Sequence, residues 1–398
     1  MIDWLSTQDP RRVFLETPTG SYTFGEMVES IHYRPVDGVE ILRPRLDAGS
    51  VVDVLAVMAR GTAVLIGPDA EAPGTIEPNG AATVVFTSGT TGGPKGVRLT
   101  TGNWEAAARA SQQYLGHDSR DVWLLTMGMH RVGGLAVVVR SALSGGRVRI
   151  PARVDAKEIS AALRNGVTFA SLVPTMLRRM LEFHPGPYSG VRAVLVGGGP
   201  IPDGLLERAA RAELPVLASY GLTETCGQVA TAKPGSSAER RVNPLPGVEL
   251  RTERDGRIAV RGLMVSPGYV GEADRERDEW FITGDLGEIG ANGSLRVLGR
   301  ADDVIVTGGE NIDPTVIEHA LATIPGVDQA LVCGLPSEEW GMEVACAYVG
   351  DLGIAAVEAA LRKNLSGALI PKRWLRTESI PMTDLGKPDR GEAIRWFS

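Results

Sequence analysis

Three cysteines in 398 residues, Cys226, Cys333 and Cys346, stand far apart and form no CxxC pair. They supply neither a disulfide framework nor a zinc site, and they fit a reducing compartment. Long apolar runs are missing too. The longest, Val132 to Val139, contains two glycines and ends at Arg140, too short to span a bilayer. The opening residues, MIDWLSTQDPRR, hold no basic segment followed by an apolar one, so no secretory signal is expected. There is no basic excess either: the net charge is -7 and the pI near 5.5. That balance argues against a nucleic-acid binder while allowing local basic pockets. A soluble, cytoplasmic protein with no stable membrane insertion is the expectation.

What is present is ordinary in bulk and unusual in places. Hydrophobic residues make up 43% and charged residues 22%, as in a globular protein long enough for two domains. The stretch Thr83 to Thr100 stands out. Thr83-Val84-Val85-Phe86 reads as a buried strand. It breaks into Thr87-Ser88-Gly89-Thr90-Thr91-Gly92-Gly93-Pro94-Lys95-Gly96, with four hydroxyls, four glycines and a lysine in ten residues. Glycines let backbone N–H groups turn toward an anion, hydroxyls donate to phosphate oxygens, and the lysine adds a mobile charge. A Walker A loop is excluded, because Pro94 precedes the lysine and Gly96 follows it.

Along the chain, Val51 to Met58 reads as a helix and Ala63 to Gly67 as a short strand. From Gly80 to about Asn243 apolar strands alternate with amphipathic helices, which predicts a mostly parallel sheet covered on both faces. Ligands of such sheets sit beyond the carboxyl ends of the strands. Between Gly247 and Gly299 short strands separated by Asp255-Gly256 and Asn292-Gly293 predict a small antiparallel subdomain. The tail is a compact α+β unit, with a helix starting at Asp313-Pro314 and another from Ile354 to Leu365.

Several polar clusters fall at predicted strand ends. Gly197-Gly198-Gly199 follows the strand Val191 to Val196 and permits close approach of something flat, such as a purine. Ser219-Tyr220-Gly221-Leu222-Thr223-Glu224-Thr225 offers a carboxylate and hydroxyls suited to phosphate-bound magnesium. Asp285, after Trp280-Phe281-Ile282-Thr283-Gly284, can accept both hydroxyls of a ribose. Arg300-Ala301-Asp302-Asp303 and Gly308-Gly309-Glu310-Asn311 lie at the domain boundary, where Arg300 suits phosphate or ribose and Asp302 suits a hinge. Lys387, on the polar loop Thr383 to Gly391, can reach charge developing on a phosphoryl group.

In this order the clusters resemble the adenylate-forming acyl-CoA synthetase superfamily from Gly80 to Arg390. The resemblance implies an α/β fold: a large N-terminal domain of layered α/β subdomains with a small β-rich subdomain (1–299), a hinge (300–302) and a small mobile α+β C-terminal domain (303–398). It implies that Thr87, Ser88, Gly89, Thr90, Thr91, Gly92 and Lys95 hold ATP phosphates, that Gly197, Gly198, Gly199 and Tyr220 flank the adenine, and that Gly221 belongs to the same cofactor site. Thr223 and Glu224 would serve phosphate and Mg2+, Asp285 the ribose, Arg300 ribose or phosphate, Gly308 and Gly309 the CoA arm, and Lys387 adenylation. His130, in Met129-His130-Arg131-Val132-Gly133-Gly134-Leu135, resembles the histidine at the acyl pocket, with Arg131, Ser171 and Thr175 as candidates for the acid's second carboxylate.

The phosphate loop begins earlier than usual, which implies an abbreviated N-terminal subdomain. Within the superfamily the chain looks most like the o-succinylbenzoate-CoA ligases of menaquinone synthesis. Another aryl- or acyl-CoA ligase, a carrier-protein adenylating enzyme and a non-catalytic ATP- or AMP-binding relative are the alternatives. The expected partners are a small carboxylic acid, ATP and CoA, with self-association into a homo-oligomer left open.

Overall fold

The computed structural model describes residues 2–87, 95–199, 201, 203–236, 240–382 and 388–397. Two large sheets dominate the first three quarters of the chain. In spatial order, the nine-stranded sheet runs Asn243–Pro244, Gly227–Thr231, Val216–Leu222, Ala193–Val196, Phe169–Leu172, Val122–Leu124, Arg147–Arg149, Val13–Thr17 and Gly20–Thr23. From Val216–Leu222 to Val13–Thr17 every pairing is parallel, and the edges are antiparallel. The five-stranded sheet runs Gly268–Tyr269, Gly96–Leu99, Thr83–Phe86, Thr62–Leu65 and Val39–Leu42. The stretch before Gly80 thus supplies two strands to each large sheet, although its sequence carries no chemical signature.

Period-two burial explains how one sheet serves two cores. Trp123, Phe169 and Leu195 face a cluster shared with the five-stranded sheet. Their neighbours Leu124, Ala170 and Val196 face the helices Ala156–Arg164, Pro174–Phe183 and Asp203–Arg211 on the other side. The shared core also takes in the helices Ala48–Arg60, Thr101–Leu115 and Val132–Ser144. The last of these is buried continuously from Gly134 to Ala142. This is why its sequence reads as nearly uniform apolar character instead of a single stripe. Burying each of its Leu and Val side chains contributes roughly 1.5–3 kcal/mol relative to exposure. Helix ends follow local chemistry. Thr100 caps Thr101–Leu115 through a reciprocal bond pair with Asn103, and Gly116 closes it in the left-handed region at φ 67°.

The predicted antiparallel subdomain is a four-stranded sheet, Glu249–Thr252, Arg257–Arg261, Phe281–Ile289 and Leu295–Arg300. Beyond it, the strands Ile305–Thr307, Glu310–Ile312, Val327–Ser337, Gly341–Gly350 and Arg373–Arg376 form a further sheet. Its three apolar clusters draw on residues from Ile305 to Phe397 alone. The helix expected from Ile354 to Leu365 ends at Leu361. A short helix, Arg390–Arg395, follows the last loop without an advance sign in the apolar pattern.

Two local expectations change. Ser219 to Leu222 does not follow its strand but prolongs it, because the chain folds back and pairs antiparallel with Gly227–Thr231. Asp285 likewise lies in the middle of Phe281–Ile289 and not after a strand end. Thr283 accounts for this: its hydroxyl accepts the Asp285 amide at 3.1 Å, where the ladder is irregular.

Candidate active site

Four neighbouring parallel strands end at one edge of the nine-stranded sheet, and the sequence candidates follow them directly. Val196 pairs with Ala218, so the Gly197–Gly199 turn leaves the sheet level with Ser219 and Tyr220. A Cβ on Gly197 would lie 2.5 Å from the Ser219 carbonyl oxygen, so the close approach itself requires glycine. Gly199 faces open space. Gly221 has an architectural reason: a Cβ there would lie 1.9 Å from the Gly227 carbonyl oxygen.

Tyr220 donates its hydroxyl to Asp285 Oδ2 at 2.8 Å. Burial, and then the adjacent Asp285 charge, push the phenol well above its ordinary range, which keeps it a donor. The other Asp285 oxygen accepts from Arg300 Nη1 at 3.3 Å, and Arg300 Nη2 reaches Asp302 Oδ2 at 3.2 Å. Asp285 and Arg300 sit opposite each other in the ladder between Phe281–Ile289 and Leu295–Arg300. Tyr220, Asp285, Arg300 and Asp302 therefore form one bonded chain from the sheet edge to the 3-10 turn Ala301–Asp303.

A second chain joins the base of the glycine-rich stretch to Glu224. Phe86 pairs with Gly96, and the Thr87 amide donates to the Lys95 carbonyl at 3.0 Å. The ends of the glycine-rich stretch are thereby fixed; Ser88, Gly89, Thr90, Thr91 and Gly92 lie outside the described residues. Lys95 Nζ stands 5.1 Å from the centre of the Tyr269 ring, and the Tyr269 hydroxyl donates to Glu224 Oε1 at 2.8 Å. Glu224 is held by the 3-10 turn Thr223–Thr225, whose carbonyl at Glu224 accepts the Ser266 amide at 2.7 Å. Sequence reasoning missed Tyr269. It pairs with Val97, just after the glycine-rich stretch, only through an antiparallel edge contact about 170 residues distant in the chain.

His130 and Arg131 lie between the strand Val122–Leu124 and the helix Val132–Ser144. The His130 ring lies against the Gly128 backbone, where a Cβ would come within 2.4 Å of Cε1. It also faces Gly67, at the end of a strand in the other large sheet: a Cβ there would be 3.9 Å from His130 Cδ2. The histidine thus stands where the carboxyl ends of both sheets meet. Burial, aided by the Arg131 charge, lowers its pKa and keeps it neutral at neutral pH. Ser171 lies within Phe169–Leu172, is 8% exposed, and accepts Thr126 Oγ1 at its carbonyl at 2.7 Å. Thr175 is in the first turn of Pro174–Phe183, half-buried.

Gly308 and Gly309, at φ 57° and 85°, form the tight turn between Ile305–Thr307 and Glu310–Ile312. Trp340 covers Gly308, whose Cβ would meet the indole at 2.9 Å. Lys387 lies outside the described residues.

One carboxylate and one hydroxyl, Glu224 and Thr223, suit magnesium, which keeps several waters and takes phosphate oxygens as its remaining ligands. Among the described residues no group of three or more His, Cys, Asp or Glu could cage a metal ion alone. The Asp285–Arg300 pair offers an acceptor and a planar donor at the edge where Gly197–Gly199 leaves a flat approach. These donors fit ATP better than a metal cluster.

The fold and these donors define a nucleotide-binding α/β enzyme, and the chain belongs to the AMP-binding enzyme family, whose model matches residues 26–270. The model of the AMP-binding enzyme C-terminal domain matches residues 316–387. Among individual relatives, the chain is 36% identical to the 2-succinylbenzoate–CoA ligase of Listeria monocytogenes, over 87% of this chain and 77% of that one. It is 38% identical to that of Bacillus mycoides, over 80% and 71% respectively. The solved o-succinylbenzoate CoA synthetase (MenE) of Bacillus subtilis, in complex with the acyl-adenylate intermediate OSB-AMP, superposes with a TM-score of 0.87 at 27% identity, covering 98% of this chain and 97% of that one. ATP-bound MatB from Rhodopseudomonas palustris shares the fold, with a TM-score of 0.87 at 22% identity, covering 100% and 98%. No helix among the described residues is long and apolar enough to cross a membrane.

Proposed function

We propose that this protein is an ATP-dependent acid–CoA ligase that converts o-succinylbenzoate to its CoA thioester through an acyl-adenylate. The observation that carries the reading is the Lys95–Tyr269–Glu224 chain, which joins the base of the glycine-rich stretch to a carboxylate suited to magnesium, while Tyr220, Asp285 and Arg300 form a second bonded chain suited to a nucleoside. The choice of acid rests on the relatives named as 2-succinylbenzoate–CoA ligases and on the OSB-AMP complex of the Bacillus subtilis enzyme.

In the first half-reaction a carboxylate oxygen of the acid attacks the α-phosphorus of ATP, the bond to the β-phosphate breaks, and pyrophosphate leaves. Backbone N–H groups of the phosphate loop, Lys95 and Lys387 would meet the charge that builds on the phosphate oxygens. Thr223 and Glu224 would hold magnesium, which neutralises charge on the triphosphate when bound. Asp285 and Arg300 would take the ribose, with Gly197–Gly199 and Tyr220 flanking the base. His130, neutral, would border the acyl group, and Arg131, Ser171 and Thr175 would serve the second carboxylate. In the second half-reaction the CoA sulfur, its proton lost, attacks the acyl carbon and AMP departs with its bridging oxygen, the pantetheine arm passing Gly308–Gly309. Residues 300–302 would be the hinge between 1–299 and 303–398, and we place the protein in the cytoplasm.

Purified protein given ATP, CoA and o-succinylbenzoate should release pyrophosphate and form the thioester. Turnover of a monocarboxylate with no o-succinylbenzoyl thioester above background would reassign the acid. No pyrophosphate release with any acid in a carboxylate panel would leave only a nucleotide-binding role.

A further inference from the structure

The strand Gly96–Leu99 leaves the glycine-rich stretch and carries one charged side chain among apolar ones, Arg98, which is 0% exposed. Arg98 pairs with Gly268 and Val97 with Tyr269, and the Val270 amide adds one bond to the Gly96 carbonyl at 2.8 Å. The guanidinium reaches past this short ladder to the turn that follows it. Its Nε donates to the Tyr269 carbonyl at 3.1 Å, its Nη2 donates to the Glu272 carbonyl at 3.2 Å, and its Nη1 lies 2.6 Å from Asp274 Oδ1. A Cβ at Gly268 would lie 3.2 Å from Arg98 Nη2, so glycine there leaves the side chain its room. The Arg98 main chain is engaged as well. Its carbonyl accepts the Ser266 hydroxyl at 2.6 Å, and the Ser266 amide donates to the Glu224 carbonyl at 2.7 Å.

We propose that Arg98 is a positioning residue for the activation of ATP: by clamping the turn 269–274 it fixes Tyr269 between Lys95 and Glu224. The inference rests on the ligase reading above. Burying a guanidinium is costly unless its donors are met. Here two carbonyls and a carboxylate of one turn meet them, so the charge is stable only while that turn keeps its place. So short a pairing at a sheet edge opens easily by itself, and a planar fork of donors makes it a fixed support. The same residue holds Ser266, and through it the Glu224 main chain. Both ends of the Tyr269–Glu224 hydrogen bond are thereby referred to one point in the sheet.

Two features separate this role from the filling of a core. Val84 stands opposite Arg98 in the ladder and belongs to a small apolar cluster with Val64, Ile66 and Ala81. A hydrophobic side chain of similar length could occupy the same place, and replacing a buried ion in that way is often tolerated. Arginine therefore stands there for what its donors hold. The Asp274 side chain, in contrast, is 61% exposed, so the ion pair ties a surface turn to a buried strand.

The test uses full-length Arg98→Met, Tyr269→Phe and the double variant beside wild type. Three quantities are read: acid-dependent pyrophosphate exchange at several ATP and magnesium concentrations, thioester formation from supplied acyl-adenylate and CoA, and hydrogen exchange of the 268–274 amides. Arg98→Met should lower kcat/KM for ATP on the order of tenfold, the effect of misplacing a group in the site, with the larger part recovered at high magnesium. The KM for the acid should stay within about twofold, because its binding is untouched. Thioester formation should be spared, and the 268–274 amides should lose protection. In the Tyr269→Phe background the same substitution should change kcat/KM by less than about twofold, because the hydroxyl through which it acts is gone. Equal loss in the two backgrounds, equal loss in both half-reactions, or unchanged amide protection overturns the proposal. If Arg98→Met does not fold, Asp274→Asn weakens only the exposed end of the clamp and should give a smaller loss of the same kind; unchanged kinetics and protection there overturn it. A wild-type protein without any acid-dependent exchange defeats the ligase reading itself, whereas amide protection reports on the clamp independently of activity.

Discussion

The Tyr269 hydroxyl donates to Glu224 at 2.8 Å while the Lys95 ammonium stands 5.1 Å from the centre of the same ring. One aromatic side chain therefore orients the carboxylate and faces the lysine at the end of the glycine-rich stretch. Burial, and then the neighbouring Glu224 charge, raise its phenol pKa, so the hydroxyl remains a donor throughout the working range.

Tyr269→Phe keeps the ring beneath Lys95 and removes the hydroxyl. Glu224 then loses a charge-assisted bond worth about 1.5–3 kcal/mol. We expect kcat/KM for ATP to fall by roughly 10–100-fold, with the larger part recovered at high magnesium. Pyrophosphate exchange titrated with ATP at several magnesium concentrations measures this. An unchanged magnesium dependence would separate Tyr269 from the metal site.

Asp285→Asn leaves Tyr220 a poorer acceptor and leaves Arg300 with one carboxylate, Asp302, where the structure gives it two. If these oxygens also meet the ribose, the KM for ATP should rise at least about tenfold, since a buried acceptor of charged bonds is lost. The KM for the acid should move little. Calorimetric titration with ATP checks the affinity directly, and equal effects on both substrates would refute a ribose role.

The glycines of the site divide into two kinds, and alanine distinguishes them. Gly221→Ala forces a Cβ to within 1.9 Å of the Gly227 carbonyl, and the hairpin must shift at a cost of about 3 kcal/mol. Gly199→Ala enters open space, so the urea midpoint should hardly move, while ATP binding weakens if a base packs there. Loss of stability in Gly199→Ala, or none in Gly221→Ala, would contradict the backbone geometry.

His117 is 2% exposed, with rings of Trp123 and Phe169 around it and neither ring nitrogen hydrogen-bonded. Burial, and then the Arg140 charge, pull its pKa down to about 3. The folded protein therefore binds this proton less readily than the unfolded chain. Stability from the neutral imidazole is present above the unfolded value near 6.5 and is lost as pH falls toward 3. His117→Phe should flatten that part of the curve. Urea unfolding of both proteins at pH 7.5, 6, 5 and 4 measures the difference, which should widen steadily in the variant's favour on acidification.

The polar clusters along the chain, such as those at Thr87, Gly197 and Glu224, were legible because each depends on short local chemistry: glycines that bend the backbone, and hydroxyls and carboxylates set beside them. The alternation of strands and helices was legible for the same reason, since period and capping are local. The sequence alone could not supply Tyr269, because its pairing with Val97 is made across the edge of a sheet. Nor could it show that Gly221 is needed for a hairpin and Gly197 for a strand-to-strand approach, since both depend on backbone brought in from elsewhere. The tertiary fold also decided that Asp285 sits within a strand facing Tyr220 and Arg300, and that Arg390 joins Asp303 to Glu318. Composition and spacing determine which chemistry is available. Only long-range packing determines which of those groups meet, because the contacts that matter join residues far apart in the chain.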